Sequence, residues 1–228
     1  MLKNILVLAM LALESCQSLA ISPTPNQNTD LPTGTEEATW METEMNGVRL
    51  EMRMPRGWAA DVERGLLLAE HTTSTETGDV EVTVLIHCFV PALDNFDLPQ
   101  EANVNMALVV LEQAVTMPTM VGQNVVVSDP VGFDWGGRDA AYYLLSGADG
   151  SKTIVIAVEA LRQDSLVVIN VSMPASEEMR VRDMLPEVLD GLRINGITMD
   201  GNALDILPDP LPFPYREDAP NETPIVIQ

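Results

Sequence analysis

Residues 138–173 read RDAAYYLLSGADGSKTIVIAVEALRQDSLVVINVSM. Residues 142–146, 153–160 and 166–173 are rich in β-branched and aromatic side chains and are separated by short segments of Gly, Asp, Ser and Gln. That composition predicts three consecutive strands joined by tight turns, an antiparallel meander. The strands barely alternate apolar with polar residues. In the middle one Ile154, Ile156 and Val158 point one way and Val155 and Ala157 the other; in the third, Leu166 and Val168 oppose Val167, Ile169 and Val171. A strand with one face in water alternates, whereas one covered on both faces does not. The expected class is therefore α+β, an antiparallel sheet covered by helices on both faces in an α/β/α sandwich.

With 228 residues the simplest organisation is one domain with flanking segments. The net charge of −22 excludes a nucleic-acid partner, which needs a basic patch to displace counterions. Anionic headgroups would repel the same charge, so membrane attachment has to be covalent or hydrophobic. Lysine occurs only at Lys3 and Lys152. Two cysteines, Cys16 and Cys88, are too few for a disulfide scaffold.

The N-terminal segment carries Lys3, an apolar run from Ile5 to Leu13, and then Leu13-Glu14-Ser15-Cys16. The run is too short to span a bilayer, and its order of parts is that of a secretory signal. Its end resembles a bacterial lipobox: Leu13 stands three positions before the cut and the small Ser15 just before it, while Glu14 departs from the pattern. The resemblance implies cleavage before Cys16 and attachment of diacylglycerol to its thiol, with palmitate among the acyl chains. Each buried methylene then contributes about 0.8 kcal/mol to membrane retention. The alternatives are a plain signal cut elsewhere, giving a secreted protein, or an uncleaved anchor. Residues 1–15 are read as signal peptide and 16–45 as a flexible tether, since Ser, Thr, Pro, Asn and Gln dominate it. Residues 46–198 form the domain, and 199–228 a Pro-rich acidic tail lying largely outside the fold.

Within the domain, Val48, Leu50, Met52 and Met54 alternate with charged residues, a strand stopped by Pro55-Arg56-Gly57-Trp58. A hairpin turning at Arg64-Gly65 is followed by a long strand over 80–90. On it, adjacent His87 and Cys88 face opposite sides and cannot share a metal; Cys88 reads as a buried hydrophobe and His87 as a partly exposed structural histidine. Residues 101–115 are apolar around most of a helix and should lie flat on the sheet. A short strand over 125–128 and a turn-rich crossing over 130–137, with Phe133 and Trp135, lead into the meander. Ser176 is expected to cap a second helix with Arg193 in its last turn and Pro186 kinking or restarting it.

The order of these elements, with GVRLEMRMPRGW, GGRDAAYYLL and RVRDMLPEVLDGLRI in it, resembles the PsbP-like fold over about residues 47–194. That superfamily includes the PsbP proteins of photosystem II, Ran-binding nucleotide-release factors and bacterial lipoproteins of unassigned role. It implies an antiparallel sheet with helices on both faces and no shared catalytic residues.

No nucleophile elbow, phosphate loop, dinucleotide fingerprint or zinc-binding helix motif is present in the sequence, so no catalytic residue and no cofactor is assigned. Asp129, Asp134 and Asp139, beside Arg138, are the weak candidates for a metal site; their plain reading is turn caps and a solvated ion pair. The expectation is a non-enzymatic, lipid-anchored protein of the bacterial cell envelope. It would act as an interaction or assembly module for an unidentified envelope partner, with a small-solute or metal-ion binding lipoprotein as the alternative.

Overall fold

The computed structural model describes residues 40–53, 58–63, 66–74, 80–99, 104–117, 124–160 and 165–215. The signal segment, Cys16, the tether up to residue 39 and the turns at 54–57 and 64–65 lie outside the described residues. Among those described, the chain runs through β1 (Trp40–Met45), β2 (Val48–Arg53), β3 (Trp58–Glu63), β4 (Leu66–Ser74) and β5 (Val80–Phe89). It continues with α1 (Met106–Thr116), β6 (Val126–Val127), β7 (Val131–Asp134), β8 (Asp139–Ser146), β9 (Lys152–Glu159) and β10 (Leu166–Met173). Then come α2 (Glu178–Leu189), β11 (Leu192–Ile194), β12 (Ile197–Thr198) and a 3-10 turn, Gly201–Ile206.

The meander is present as read. Tyr142 of β8 pairs with Ile156 of β9, which pairs with Ile169 of β10, all antiparallel. It forms the heart of an eight-stranded sheet in the order β3-β4-β5-β10-β9-β8-β6, with β7 also paired to β8. The class is α+β with a mostly antiparallel sheet. Alternate residues of the central strands enter two separate apolar clusters. Leu144, Ile154, Ile156, Ile169 and Cys88 pack with Val181, Leu185 and Leu189 of α2. Tyr143, Val155, Ala157 and Val168 pack with Val110, Leu111 and Ala114 of α1. Seven of the eight residues of β9 are buried, which is why its sequence does not alternate.

A second, four-stranded sheet in the order β1-β2-β11-β12 was not foreseen. Trp40–Met45, read from the sequence as the end of the tether, forms β1 because Asn46 and Gly47 turn the chain with φ of 50° and 75°. Two left-handed residues make the tight hairpin whose twist matches the strands it joins. The same device at Asn195-Gly196, with φ of 53° and 79°, joins β11 to β12. Arg193 therefore lies on β11 and not in the last turn of a helix. Ser176 does not cap α2 either: it sits in a 3-10 turn, Ala175–Glu177, and Glu177 holds the cap position without a side-chain bond. The helix runs through Pro186 and ends where Asp190 N donates to the Pro186 carbonyl at 3.0 Å. The 130–137 crossing is in part a strand, β7, joined to β8 by a Gly136-Gly137 turn with φ of 63° and 83°.

The chain beyond Asp200, expected outside the fold, is part of it as far as residue 213. Leu204, Leu207 and Leu211 are buried in the α2 cluster and Phe213 packs against it. Trp135, fully buried, donates Nε1–H to the Asp200 carbonyl at 2.8 Å, and Arg182 donates Nε–H to the Leu207 carbonyl at 3.2 Å. Proline spacing predicted an extended chain; it could not show that leucines between the prolines would find an apolar surface.

Gly201 allows this closure. A Cβ there would collide with the Pro186 carbonyl oxygen and stand 2.9 Å from its carbon, backbone atoms at the end of α2 that cannot yield. Gly201→Ala is expected to destabilise the domain by about 1–3 kcal/mol, the range for overpacking a closed interior, measured as a lowered urea midpoint at unchanged slope. An unchanged midpoint would mean that the 3-10 turn does not need this approach.

Candidate functional site

The polar groups that stand out lie on the α1 side of the large sheet. His87 of β5 is paired in register with Asn170 of β10, and Asn170 with Val155 of β9. Next to them Thr153 Oγ1 and Ser172 Oγ are 3.0 Å apart. His87 is 7% exposed, not the partly exposed histidine expected, and burial lowers its pKa to about 4, so the ring is neutral at pH 7. Asn170 is 5% exposed, and its Oδ1 is the one buried side-chain polar atom among the described residues that no hydrogen bond reaches. Tyr143, across β9 from this pair, has its hydroxyl pKa pushed up by burial.

Above this strip, α1 is positioned from both ends. Asn105 caps it, accepting from Leu108 N at 2.9 Å with Oδ1 while donating Nδ2–H to the Ala140 carbonyl at 2.9 Å, so one side chain starts the helix and ties it to β8. Near the other end Gln113 accepts from Asp97 N at 2.8 Å and donates to its carbonyl at 2.9 Å, clamping the loop that carries Phe96 against the helix. Between helix and sheet remains a cavity of about 20 Å³, counted as room for the centre of a water molecule. Phe96, Leu111, Tyr143, Val168 and Asn170 are among its walls.

On the opposite face Lys152 is 5% exposed. Its Nζ donates to Ser146 Oγ at 3.2 Å, lies 3.7 Å from Glu178 Oε2 and sits 5.9 Å from the centre of the Phe213 ring. A lysine on a serine can be a base on a nucleophile. Here Ser146 is 2% exposed beneath the C-terminal segment, so the pair joins β8, α2 and that segment. Cys88 is 0% exposed on the α2 face, and burial pushes its thiol pKa up to about 12, which leaves it without nucleophilic thiolate at neutral pH.

The acidic residues singled out in the sequence sit around the β7–β8 hairpin. Asp134 Oδ1 accepts from Gly137 N at 3.0 Å as a turn cap, and Asp134 and Asp139 are opposed across the hairpin. Asp129 is exposed in the loop before β7. Arg138 donates Nη1–H to the Glu159 carbonyl at 3.0 Å. No group of three or more His, Cys, Asp or Glu is placed to hold a metal ion among the described residues. Cys16 is outside them. Sequence reasoning missed Asn170 and Lys152; each is a polar residue within or beginning an otherwise apolar strand, which was the available signal.

No protein-family model matches this chain, and no curated protein does. Among solved structures it is similar to the Ran-binding protein Mog1p of Saccharomyces cerevisiae, at 11% identity over 73% of this chain and 99% of that one, with a TM-score of 0.40. It is similar to the PsbP of Synechocystis, CyanoP, at 11% identity over 73% and 98%, TM-score 0.44. A third is LpqN of Mycobacterium tuberculosis, described as involved in cell envelope biogenesis, at 12% identity over 68% and 90%, TM-score 0.46. The likeness is one of fold.

His87 provides a test of the buried strip. Its folded pKa of about 4 lies below the ordinary 6.5, so between those values the unfolded chain binds the proton and the fold does not. Stability should fall as pH drops through that window, by about 3 kcal/mol in all, and be fully recovered above pH 6.5. Urea titrations from pH 4 to 7 should show this slope in the difference between wild type and His87→Gln. A flat difference would place the imidazole in water.

Proposed function

We propose that this chain is a non-catalytic, lipid-anchored protein of the bacterial cell envelope, serving as an interaction or assembly module at the outer face of a membrane. The observation that carries it is the order of parts in the sequence: Lys3, the apolar run, Leu13-Glu14-Ser15-Cys16, then a polar tether ahead of the folded region. Residues 1–15 are the signal peptide. Cys16 becomes the acylated N-terminus, and the tether sets the folded domain away from the bilayer. No helix among the described residues is long and apolar enough to cross a membrane, so the acyl chains are the attachment this reading supplies. The domain is a sandwich in which α1 and α2 cover opposite faces of the large sheet, each joined by further elements.

The non-catalytic part of the reading is supported by where reactive side chains lie. His87, Cys88, Ser146 and Lys152 are each less than a tenth exposed and held in packed surroundings. The small-solute alternative loses its expected place: small-molecule pockets run to about 300–1,000 Å³, and the space beneath α1 is about 20 Å³.

Expression of the full chain in a bacterial host, with Cys16→Ala beside it, tests the anchor. Mass spectrometry of the wild type should find a mature chain beginning at Cys16 and carrying diacylglycerol, with labelled palmitate incorporated; the variant should incorporate none. A wild-type N-terminus elsewhere, or equal labelling of both, rules the anchor out. A crosslinked pull-down from membranes then identifies the partner as a protein held by wild type and lost with the variant.

A further inference from the structure

The cavity beneath α1 carries an inference independent of the anchor. Its walls are mainly apolar: Val110, Leu111 and Ala114 from the helix, Phe96 from the clamped loop, Val155 and Val168 from the sheet. Asn170 is the exception. An amide oxygen shut away from water without a donor costs about 1–3 kcal/mol, and native interiors rarely leave one so. Its neighbour on β9, Val155, has no donor, and His87, its neighbour on β5, makes no hydrogen bond to this oxygen. A cavity of about 20 Å³ exceeds the roughly 10–15 Å³ needed for one water and is too small for a solute.

We infer that one ordered water molecule is bound beneath α1 and donates a hydrogen bond to Asn170 Oδ1. A wholly apolar cavity of this size stays dry, and the amide is what makes this one a water site. Tyr143, also lining the cavity, brings a second polar side chain. Phe96 forms one wall of the site, and the two Gln113–Asp97 hydrogen bonds hold its loop against the helix. Loosening that clamp at the half-buried Gln113 should speed exchange of the water with solvent.

The test is solution NMR on the full chain, with xenon as a second probe. The wild type should show water cross-peaks to the Asn170 side-chain amide and to the Val155 and Val168 methyls, and those methyls should not shift under xenon. Asn170→Leu, which keeps the volume and removes the acceptor, should lose the cross-peaks; Gln113→Ala should keep them and shorten the water's residence severalfold. Wild-type spectra lacking the water contact, or methyls that shift under xenon as in a dry cavity, overturn the assignment even if Asn170→Leu fails to fold.

Discussion

Three strands with apolar side chains on both faces impose the constraint on which the rest depends. β8, β9 and β10 cannot leave either side to water: exposing one face of β9 alone would uncover Ile154, Ile156 and Val158, each contributing about 1.5–3 kcal/mol by its burial. One face is closed by α1 and the loop bearing Phe96. The apolar cluster on the other draws mainly on the second sheet, the 3-10 turn and the segment to Phe213, with residues of α2 joining it. The two covers differ in kind. One helix, pinned by Asn105 and Gln113, and the loop beside it make the first, while the second is assembled from pieces at opposite ends of the domain.

That assembly explains why so much of the chain is needed. β2, near the start of the described chain, pairs with β11, near its end, so that Leu50 meets Ile194 and Met52 meets Leu192. Gly191 sits against the Arg53 carbonyl, where the strands meet with no room for a Cβ. Trp135 then fastens the β7–β8 hairpin to the turn after β12 through the Asp200 carbonyl. These are contacts between residues far apart in sequence, so no single segment makes the second cover.

The distribution of charge has the same logic. A chain of net −22 places its acids outside, and the few titratable groups it buries are kept neutral, as His87 and Cys88 are, or paired, as Lys152 is with Glu178. The buried polar groups fall into a strip under α1, with His87, Thr153 and Asn170, and a set on the other face that includes Ser146, Lys152 and Arg182.

Local signals in the sequence determined a good deal. The period of residues 138–173 established both the meander and the need to cover its two faces, and the apolar circumference of residues 101–115 identified the helix that covers one of them, because these are properties of a side chain and its near neighbours. Asn46-Gly47 and Asn195-Gly196 are equally local signals for hairpins, although a polar tether and a helix end account for the flanking residues as well. What only the tertiary structure decided is how distant segments meet: the pairing of β2 with β11, the docking of Leu204, Leu207 and Leu211 beyond Asp200, and the isolation of Asn170 Oδ1. Each depends on which surfaces remain uncovered once the central sheet has formed, and no window of sequence contains that.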